Sequence, residues 1–191
     1  MSARNTTATI VLLGAAVALA GDACHVASGT THYKWDGVPA IWRSAIWFPP
    51  LVAAGVLALA LTGRDLGARF PAARARTRAD VLPAAAAVLG LYALTAVVHD
   101  EPDTVSVVLT AALAVVIWGV WDPSPGAALG GAIAAVTGPL AEMLVVAIGA
   151  AEYAPSSDQL LGVAPWLPCL YFAAGAVAFR LWDALSVRSA P

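Results

Sequence analysis

Residues 104–121 read TVSVVLTAALAVVIWGVW, a run without a charged side chain. About 20 consecutive apolar residues are enough for an α-helix to cross the hydrocarbon core of a bilayer. The whole chain has the same character: 60% of its 191 residues are hydrophobic, only 12% are charged, and the mean hydropathy is +0.79. A soluble domain carries about 25% charged residues. The sequence therefore predicts an all-α membrane protein and excludes a soluble enzyme. A net charge of −2 also argues against a nucleic-acid partner.

Polar residues, glycines and prolines divide the chain into six apolar stretches, each long enough to span a membrane. The predicted spans are 8–27, 39–62, 80–98, 104–121, 126–151 and 165–185. Six spans with short connections use up the chain, which predicts one six-helix transmembrane domain over residues 1–191.

Basic residues predict the orientation of these spans. Eight of them fall on the side of the two termini: Arg4, Arg64, Arg69, Arg74, Arg76, Arg78, Arg180 and Arg188. Only Lys34 and Arg43 fall on the other side, so the positive-inside rule places both termini in the cytoplasm. The tryptophans near the span ends agree with this: Trp118, Trp121 and Trp182 on the cytoplasmic side, Trp35, Trp42 and Trp166 on the outer side. Nine arginines to one lysine, with abundant alanine, favour a bacterial inner membrane.

Three ionisable residues in the apolar stretches are candidates for function. Asp22 and His25 are three positions apart, which puts them on one helix face near the outer end of the first span. They form either a proton relay or a head-group site, or they lie in a solvated turn at the interface. Glu142 is predicted in the middle of the fifth span, after Gly138-Pro139. A carboxyl group there faces a cavity or a partner, or is protonated and bonded to nearby backbone.

Two other spans carry features that could shape a cleft. Trp47-Phe48-Pro49-Pro50 is predicted inside the second span, where the prolines would bend the helix and either open a cleft or serve packing. Ser106, Thr110 and Trp118 share a face of the fourth span; the two hydroxyls either bond to their own helix or line a pocket. Gly126 and Gly130 are spaced for close helix packing.

The arginine-rich loop 64–78 is predicted to be amphipathic or disordered and to lie against anionic lipid head groups. The acidic outer loop 99–103 has no recognised metal-ligand spacing, and we interpret it as solvated. The chain has no nucleophile motif, no paired-histidine motif and no glycine-rich phosphate loop. The sequence thus predicts no catalytic residues, no cofactor and no metal site.

Three segments resemble the Insig (insulin-induced-gene) family of six-span membrane proteins. Residues 44–50, SAIWFPP, are similar to that family's Ser-Ala-Trp-Trp-Val-Pro-Pro motif, and residues 165–175, PWLPCLYFAAG, are similar to its Trp-Leu-Pro-Cys stretch. Ala111-Ala112-Leu113, with Trp118 and Asp122 after it, resembles the fourth span and the following loop. The family binds sterols within the membrane and couples this to lipid-synthesis proteins, namely the escort protein Scap and hydroxymethylglutaryl-CoA reductase.

The resemblance implies a non-catalytic, lipid-responsive protein in which Asp122 is the partner-coupling residue. Pro123-Ser124-Pro125 follow it where the animal proteins have Arg-Ser-Arg, so the protein partner is left open. Because the spans offer no interior arginine to hold a phosphate, we expect a neutral lipid with a small head, either sterol- or hopanoid-like or a diacylglycerol. The expected lipid-binding residues are Asp22, His25, Trp47, Pro49, Ser106, Thr110, Trp118 and Glu142.

We also expect self-association into a homo-oligomer through small-residue faces. Two alternatives stay open. One is a small proton-coupled transporter that uses Asp22, His25 and Glu142. The other is an intramembrane lipid-modifying enzyme.

Overall fold

The structure, a computed structural model, describes residues 2–34 and 39–186. It confirms the predicted fold class, with one helix for each predicted span. The helices are α1 (Ala3–Ser28), α2 (Phe48–Leu66), α3 (Arg78–Val97), α4 (Asp103–Trp121), α5 (Pro125–Ala147) and α6 (Leu167–Ser186). By length and composition α1 to α5 can cross a membrane; α6 contains Arg180 and Asp183 and does not meet the same criterion. Trp35 and Arg188, used above to predict orientation, lie outside the described residues.

Within the described part of the chain, four short strands form two small sheets at the end of the molecule that the arginine distribution predicts to be outer. Strand β1 (Thr31–Tyr33) pairs antiparallel with β4 (Ala151–Tyr153), and β2 (Ala40–Ile41) pairs antiparallel with β3 (Ser44–Ala45). Below we call this end the outer end and the opposite end, with the α2–α3 and α4–α5 connections, the cytoplasmic end.

Helix α2 begins later than the sequence predicts, and the prediction of a bend inside it is wrong. Residues 40–45 form the β2–β3 hairpin, and Trp47 is the N-cap of α2, just outside the helix. Pro49 and Pro50 therefore lie in the first turn, where a missing N–H breaks no intrahelical bond and the fixed φ suits the helix.

Helix α5 ends at Ala147, four residues before the predicted limit at 151, because the chain then turns to pair β4 with β1. Glu142 is five residues from this end, or about 7.5 Å along the helix axis. Its predicted position in the middle of the span is wrong, since it lies near the outer end.

Helix α6 is the central helix and contacts each of the other five. Its residues are buried without a break from Gly175 to Leu181. Helix α5 packs tightly against it through glycines: a Cβ on Gly130 would lie 2.5 Å from Cβ of Phe179, and one on Gly175 would lie 2.4 Å from Cβ of Ala134. The small-residue face of α5 is thus used within the chain.

Candidate lipid-binding cavity

A large cavity lies between α2 and α5, with α6 as its floor. Both helices pack on α6 but touch each other much less, which leaves a cavity of about 520 Å³. Three residues of α6 on this floor have small side chains, which leaves more room in the cavity: Ala174, Gly175 and Ala178. The walls are mainly aliphatic: Leu51, Val52, Val56 and Leu59 from α2, and Ile133, Ala134, Ala141 and Val145 from α5. Such a surface suits a hydrocarbon chain.

The hydroxyl groups along these walls are already bonded to their own helices. Thr62 donates to the carbonyl of Ala58 at 2.9 Å, and Thr137 donates to the carbonyl of Ile133 at 2.9 Å. They offer little to a polar ligand, because a helix carbonyl already takes the proton of each hydroxyl. The walls of the large cavity therefore offer a ligand apolar contacts and no free hydroxyl donor.

The outer end of the cavity is polar because Glu142 lies there. This carboxyl group is 8% exposed, and its Oε1 accepts a hydrogen bond of 2.8 Å from the hydroxyl of Tyr171 on α6. Gly138, one turn before Glu142, makes room for that ring: a Cβ at Gly138 would lie 2.2 Å from Cδ1 of Tyr171. The local sequence of α5 therefore positions both members of the pair.

A smaller pocket of about 10 Å³, which has room for one water-sized group and which we call the head pocket, continues from this end. It shares Phe48, Glu142 and Val145 with the large cavity. Its other lining residues come from α1, the strands, the start of α2 and α3: Asp22, His25, Thr31, Tyr33, Trp47, Tyr92, Ala151 and Tyr153. The structure thus brings Asp22, His25, Trp47 and Glu142 together, as four of the eight lipid-site residues expected from the sequence.

Asp22 and His25 are buried, at 3% and 1% exposure, so the solvated-turn interpretation is wrong. Asp22 Oδ2 accepts a bond of 2.7 Å from the hydroxyl of Tyr33. His25 Nε2 lies 2.9 Å from Oγ1 of Thr95, whose own hydroxyl donates to the carbonyl of Tyr92 at 2.7 Å. His25 Nε2 is therefore the donor in this pair.

The tyrosines contributed by the strands remain hydrogen-bond donors. Burial raises the pKa of the Tyr33 phenol above its ordinary value, and the nearby Asp22 adds to the effect. Burial likewise raises the pKa of Tyr153. Both phenols therefore keep their protons at physiological pH.

The other expected lipid-site residues do not line the cavity or the head pocket. Ser106 donates to the carbonyl of Asp103, and Thr110 to the carbonyl of Ser106, so both bond to their own helix. Trp118 lies near the cytoplasmic end, where Nε1 donates to the carbonyl of Ser124 at 3.4 Å. Pro49 is buried in the first turn of α2.

The partner-coupling candidate Asp122 is completely buried at the cytoplasmic end. Its Oδ2 accepts from Arg180 Nε and from Ser124 Oγ, both at 2.7 Å, and its Oδ1 accepts from the amide of Ala73 at 2.8 Å. Arg180, which the sequence placed at the cytoplasmic end of the last span, is 2% exposed and also donates to the carbonyl of Phe70. We call this group of Asp122, Ser124 and Arg180, with the backbone of Phe70 and Ala73, the latch. It ties α6 to both cytoplasmic connections, so the Asp122 side chain is not free to contact a partner protein.

The arginine-rich loop is ordered against the protein, and the expectation of an amphipathic or disordered segment is wrong. Arg74 and Arg76 donate to the carbonyl of Val120 at the end of α4, and Arg78 donates to the carbonyl of Leu185 at the end of α6. The Arg76 guanidinium also lies 5.4 Å from the ring centre of Trp121. Cations favour helix C-termini, where carbonyls lack intrahelical partners.

Sequence reasoning missed Thr31, Tyr33 and Tyr153 in the head pocket, Tyr171 in the large cavity and Arg180 in the latch. Tyr171 had a signal, because a phenol in an apolar helix needs a hydrogen-bond partner. The strand residues had none, since only the pairing of β1 with β4 brings them to the pocket.

Fold and cavity together define a class: a helical membrane protein with an apolar intramembrane cavity that ends in buried acidic groups. No protein-family model matches the chain. An INSIG protein homolog from Mycolicibacterium vanbaalenii is 44% identical over 180 residues, covering 94% of this chain and 86% of that protein. Insulin-induced gene 2 protein from Gallus gallus is 30% identical over 170 residues, covering 87% and 74%.

The fold agrees with these relatives. The crystal structure of MvINS, a mycobacterial Insig homolog from Mycobacterium vanbaalenii, superposes with a TM-score of 0.85 at 43% identity, covering 95% of this chain and 93% of that one. The same protein has also been crystallised as a cross-linked trimer. The chain belongs to the Insig family, which confirms the resemblance seen in its sequence.

Proposed function

We propose that this Insig-family protein is a non-catalytic lipid-binding protein of a bacterial inner membrane. It binds one neutral lipid with a small, hydroxyl-bearing head, either sterol- or hopanoid-like or a diacylglycerol, in the cavity between α2, α5 and α6. One observation carries the proposal: an apolar cavity of about 520 Å³ that ends at the buried Glu142.

The dimensions of the cavity suit a hydrocarbon tail. Its α2 wall runs from Phe48 to Thr62, which corresponds to about 21 Å along the helix axis. This exceeds half of the bilayer's hydrocarbon core, which is about 30 Å thick. A tail can therefore lie along α2 with its head at the outer end.

The chemistry of the outer end argues against an anionic head. Asp22 and Glu142 line the head pocket, and within the described part of the chain no lysine or arginine does. A phosphate would meet carboxyl groups without a basic partner, whereas a hydroxyl can donate to them.

The cytoplasmic end supports a more limited proposal on partners. Since the Asp122 carboxylate is used internally, coupling to a protein partner would act through the shape of the α4–α5 connection that Asp122 holds. Arg69 is exposed and would contact anionic head groups from the α2–α3 connection. Self-association is proposed from the cross-linked trimer of the similar mycobacterial protein.

Lipid retention tests the proposal. Ala141 on α5 lines the cavity, and Ala112 on α4 is exposed away from it. Native mass spectrometry of the purified parent protein should show one retained neutral lipid. Ala141→Phe should reduce the retained fraction about tenfold, and the matched Ala112→Phe should leave it unchanged. Recovery of only phospholipids, in bulk-membrane proportions and equally in all three proteins, would contradict the proposal.

A second candidate, a small proton-coupled transporter, is favoured by one observation: Asp22, His25 and Glu142 all line the head pocket. It requires pH-driven flux in proteoliposomes that Glu142→Gln abolishes. If the parent protein carries no flux, this candidate is removed.

A further inference from the structure

The head pocket brings two carboxyl groups together among hydroxyl donors. Tyr33 gives its proton to Asp22 Oδ2, and Tyr171 gives its proton to Glu142 Oε1. Ser44 also hydrogen-bonds to Asp22, and Tyr153 also hydrogen-bonds to Glu142. Each carboxylate oxygen has two lone pairs, so both groups can still accept from a ligand. The ring N–H of His25 is directed to Thr95.

Thr31 is an independent sign that a polar group of a ligand belongs in the pocket. Its side chain lines the pocket, the residue is only 7% exposed, and its buried Oγ1 has no hydrogen-bond partner among residues 2–34 and 39–186. Backbone pairing with Tyr153 fixes Thr31 in this position. Because buried hydroxyls almost always have a partner, an unpartnered one beside two carboxyl groups points to a ligand that supplies it.

The walls favour a positively charged donor. Trp47, Phe48 and Tyr92 contribute aromatic rings, which attract cations as well as apolar groups. Two carboxyl groups in a site shielded from water are costly unless a positive group accompanies them. A primary ammonium has three donors and no acceptor, and the pocket offers oxygens from three residues: Asp22, Glu142 and Thr31.

We propose that the head pocket selects the head group of the bound lipid by its hydrogen-bond donors. It takes a primary ammonium most tightly, a hydroxyl less tightly, and excludes carboxylate and phosphate. This inference rests on the proposed function, because the tail of the same ligand lies in the large cavity. It extends that function from neutral heads to cationic ones.

Three ligands with a common sixteen-carbon tail test the selection: hexadecylamine, hexadecanol and palmitate. Their affinities for the detergent-purified parent protein are measured by native mass spectrometry at neutral pH. The amine should bind about tenfold more tightly than the alcohol, as expected for charge-assisted hydrogen bonds. Palmitate should bind at least about tenfold more weakly than the alcohol, because its head repels both carboxyl groups.

Two variants locate the selection in the pocket. Asp22→Asn removes one charge and should bring the affinities for amine and alcohol to within about threefold of each other. Thr31→Val removes the unpartnered hydroxyl and should weaken the amine about fivefold, the loss of one hydrogen bond. The controls, Asp158→Asn and Thr104→Val, change exposed residues outside the pocket and should preserve the parent's order.

The outcomes separate this inference from the function on which it rests. If all three ligands bind equally well, or palmitate binds best, the proposed head-group selection is wrong, but the cavity still binds a lipid tail. If none binds, the proposed function fails as well. The ligand series on the parent protein needs no variant, so a folding defect in Asp22→Asn leaves the test intact.

Discussion

The two ends of the molecule bury acidic groups in opposite ways. At the cytoplasmic end, Asp122 receives hydrogen bonds from Arg180, Ser124 and Ala73, so its charge is paired and both its oxygens are occupied. At the outer end, Asp22 and Glu142 have hydroxyl donors, and no lysine or arginine among the described residues lines their pocket. The first arrangement pairs its charge within the chain. The second does not, and on the proposed function a ligand completes it.

This difference separates structure from function within one fold. A saturated ion pair holds α6 to both cytoplasmic connections and leaves nothing for a ligand. On the proposed function, an acidic pocket without a positive partner costs local stability and is kept for the ligand that it binds. Substitutions at the two ends should therefore differ in size and in what they affect.

Breaking the latch should have the largest effect. Arg180→Met leaves Asp122 as a buried, unpaired carboxylate, which should destabilise the protein by about 3–5 kcal/mol. Thermal unfolding in detergent, followed by tryptophan fluorescence, measures the change. Arg69→Met, at an exposed arginine, is the control and should stay within about 0.5 kcal/mol of the parent. Equal melting temperatures for the two variants would show that the latch does not stabilise the fold.

Removing a donor at the outer end should cost less. Tyr171→Phe leaves Glu142 Oε1 without its hydrogen bond and should destabilise by about 1–3 kcal/mol. Glu142→Gln should change stability less, because the amide oxygen can still accept the hydrogen bond of Tyr171. A double-mutant cycle of the two substitutions measures their coupling, and additive effects would show that the pair does not interact.

Weakening one helix cap should have the smallest effect. Arg78→Met removes the guanidinium that donates to the Leu185 carbonyl, and about 0.3–1 kcal/mol should be lost. The same unfolding assay applies, and raising the salt concentration should shrink the gap to the parent if the interaction is electrostatic. A loss of stability as large as that of Arg180→Met would contradict this ranking, because Arg78 would then contribute as much as the Asp122–Arg180 pair.

The helices could be predicted because a membrane span is a local signal. About 20 apolar residues in succession suffice, whatever the rest of the chain does. The boundaries failed where distant segments decide them. Residues 40–45 are apolar enough to extend α2, yet they pair as β2 and β3, and α5 stops at Ala147 where the chain turns towards β1.

The candidate site was predictable only in part, for a related reason. Asp22, His25 and Glu142 stand out because a charge in an apolar stretch is visible in the sequence alone. Thr31 and Tyr153 look ordinary until strand pairing brings them to the pocket. Arg180 and Asp122 are 58 residues apart, and nothing local distinguishes a buried ion pair from two interfacial charges.

Thermal unfolding with added diacylglycerol tests the central claim, that the outer end is a binding site for a lipid whose tail fills the cavity. A ligand that binds only the folded state stabilises it by about 2.7 kcal/mol at a hundredfold excess over its Kd. The melting temperatures of the parent and of Ala112→Phe should rise together, and that of Ala141→Phe should not change. The same rise in all three proteins, or none in the parent, would contradict the account.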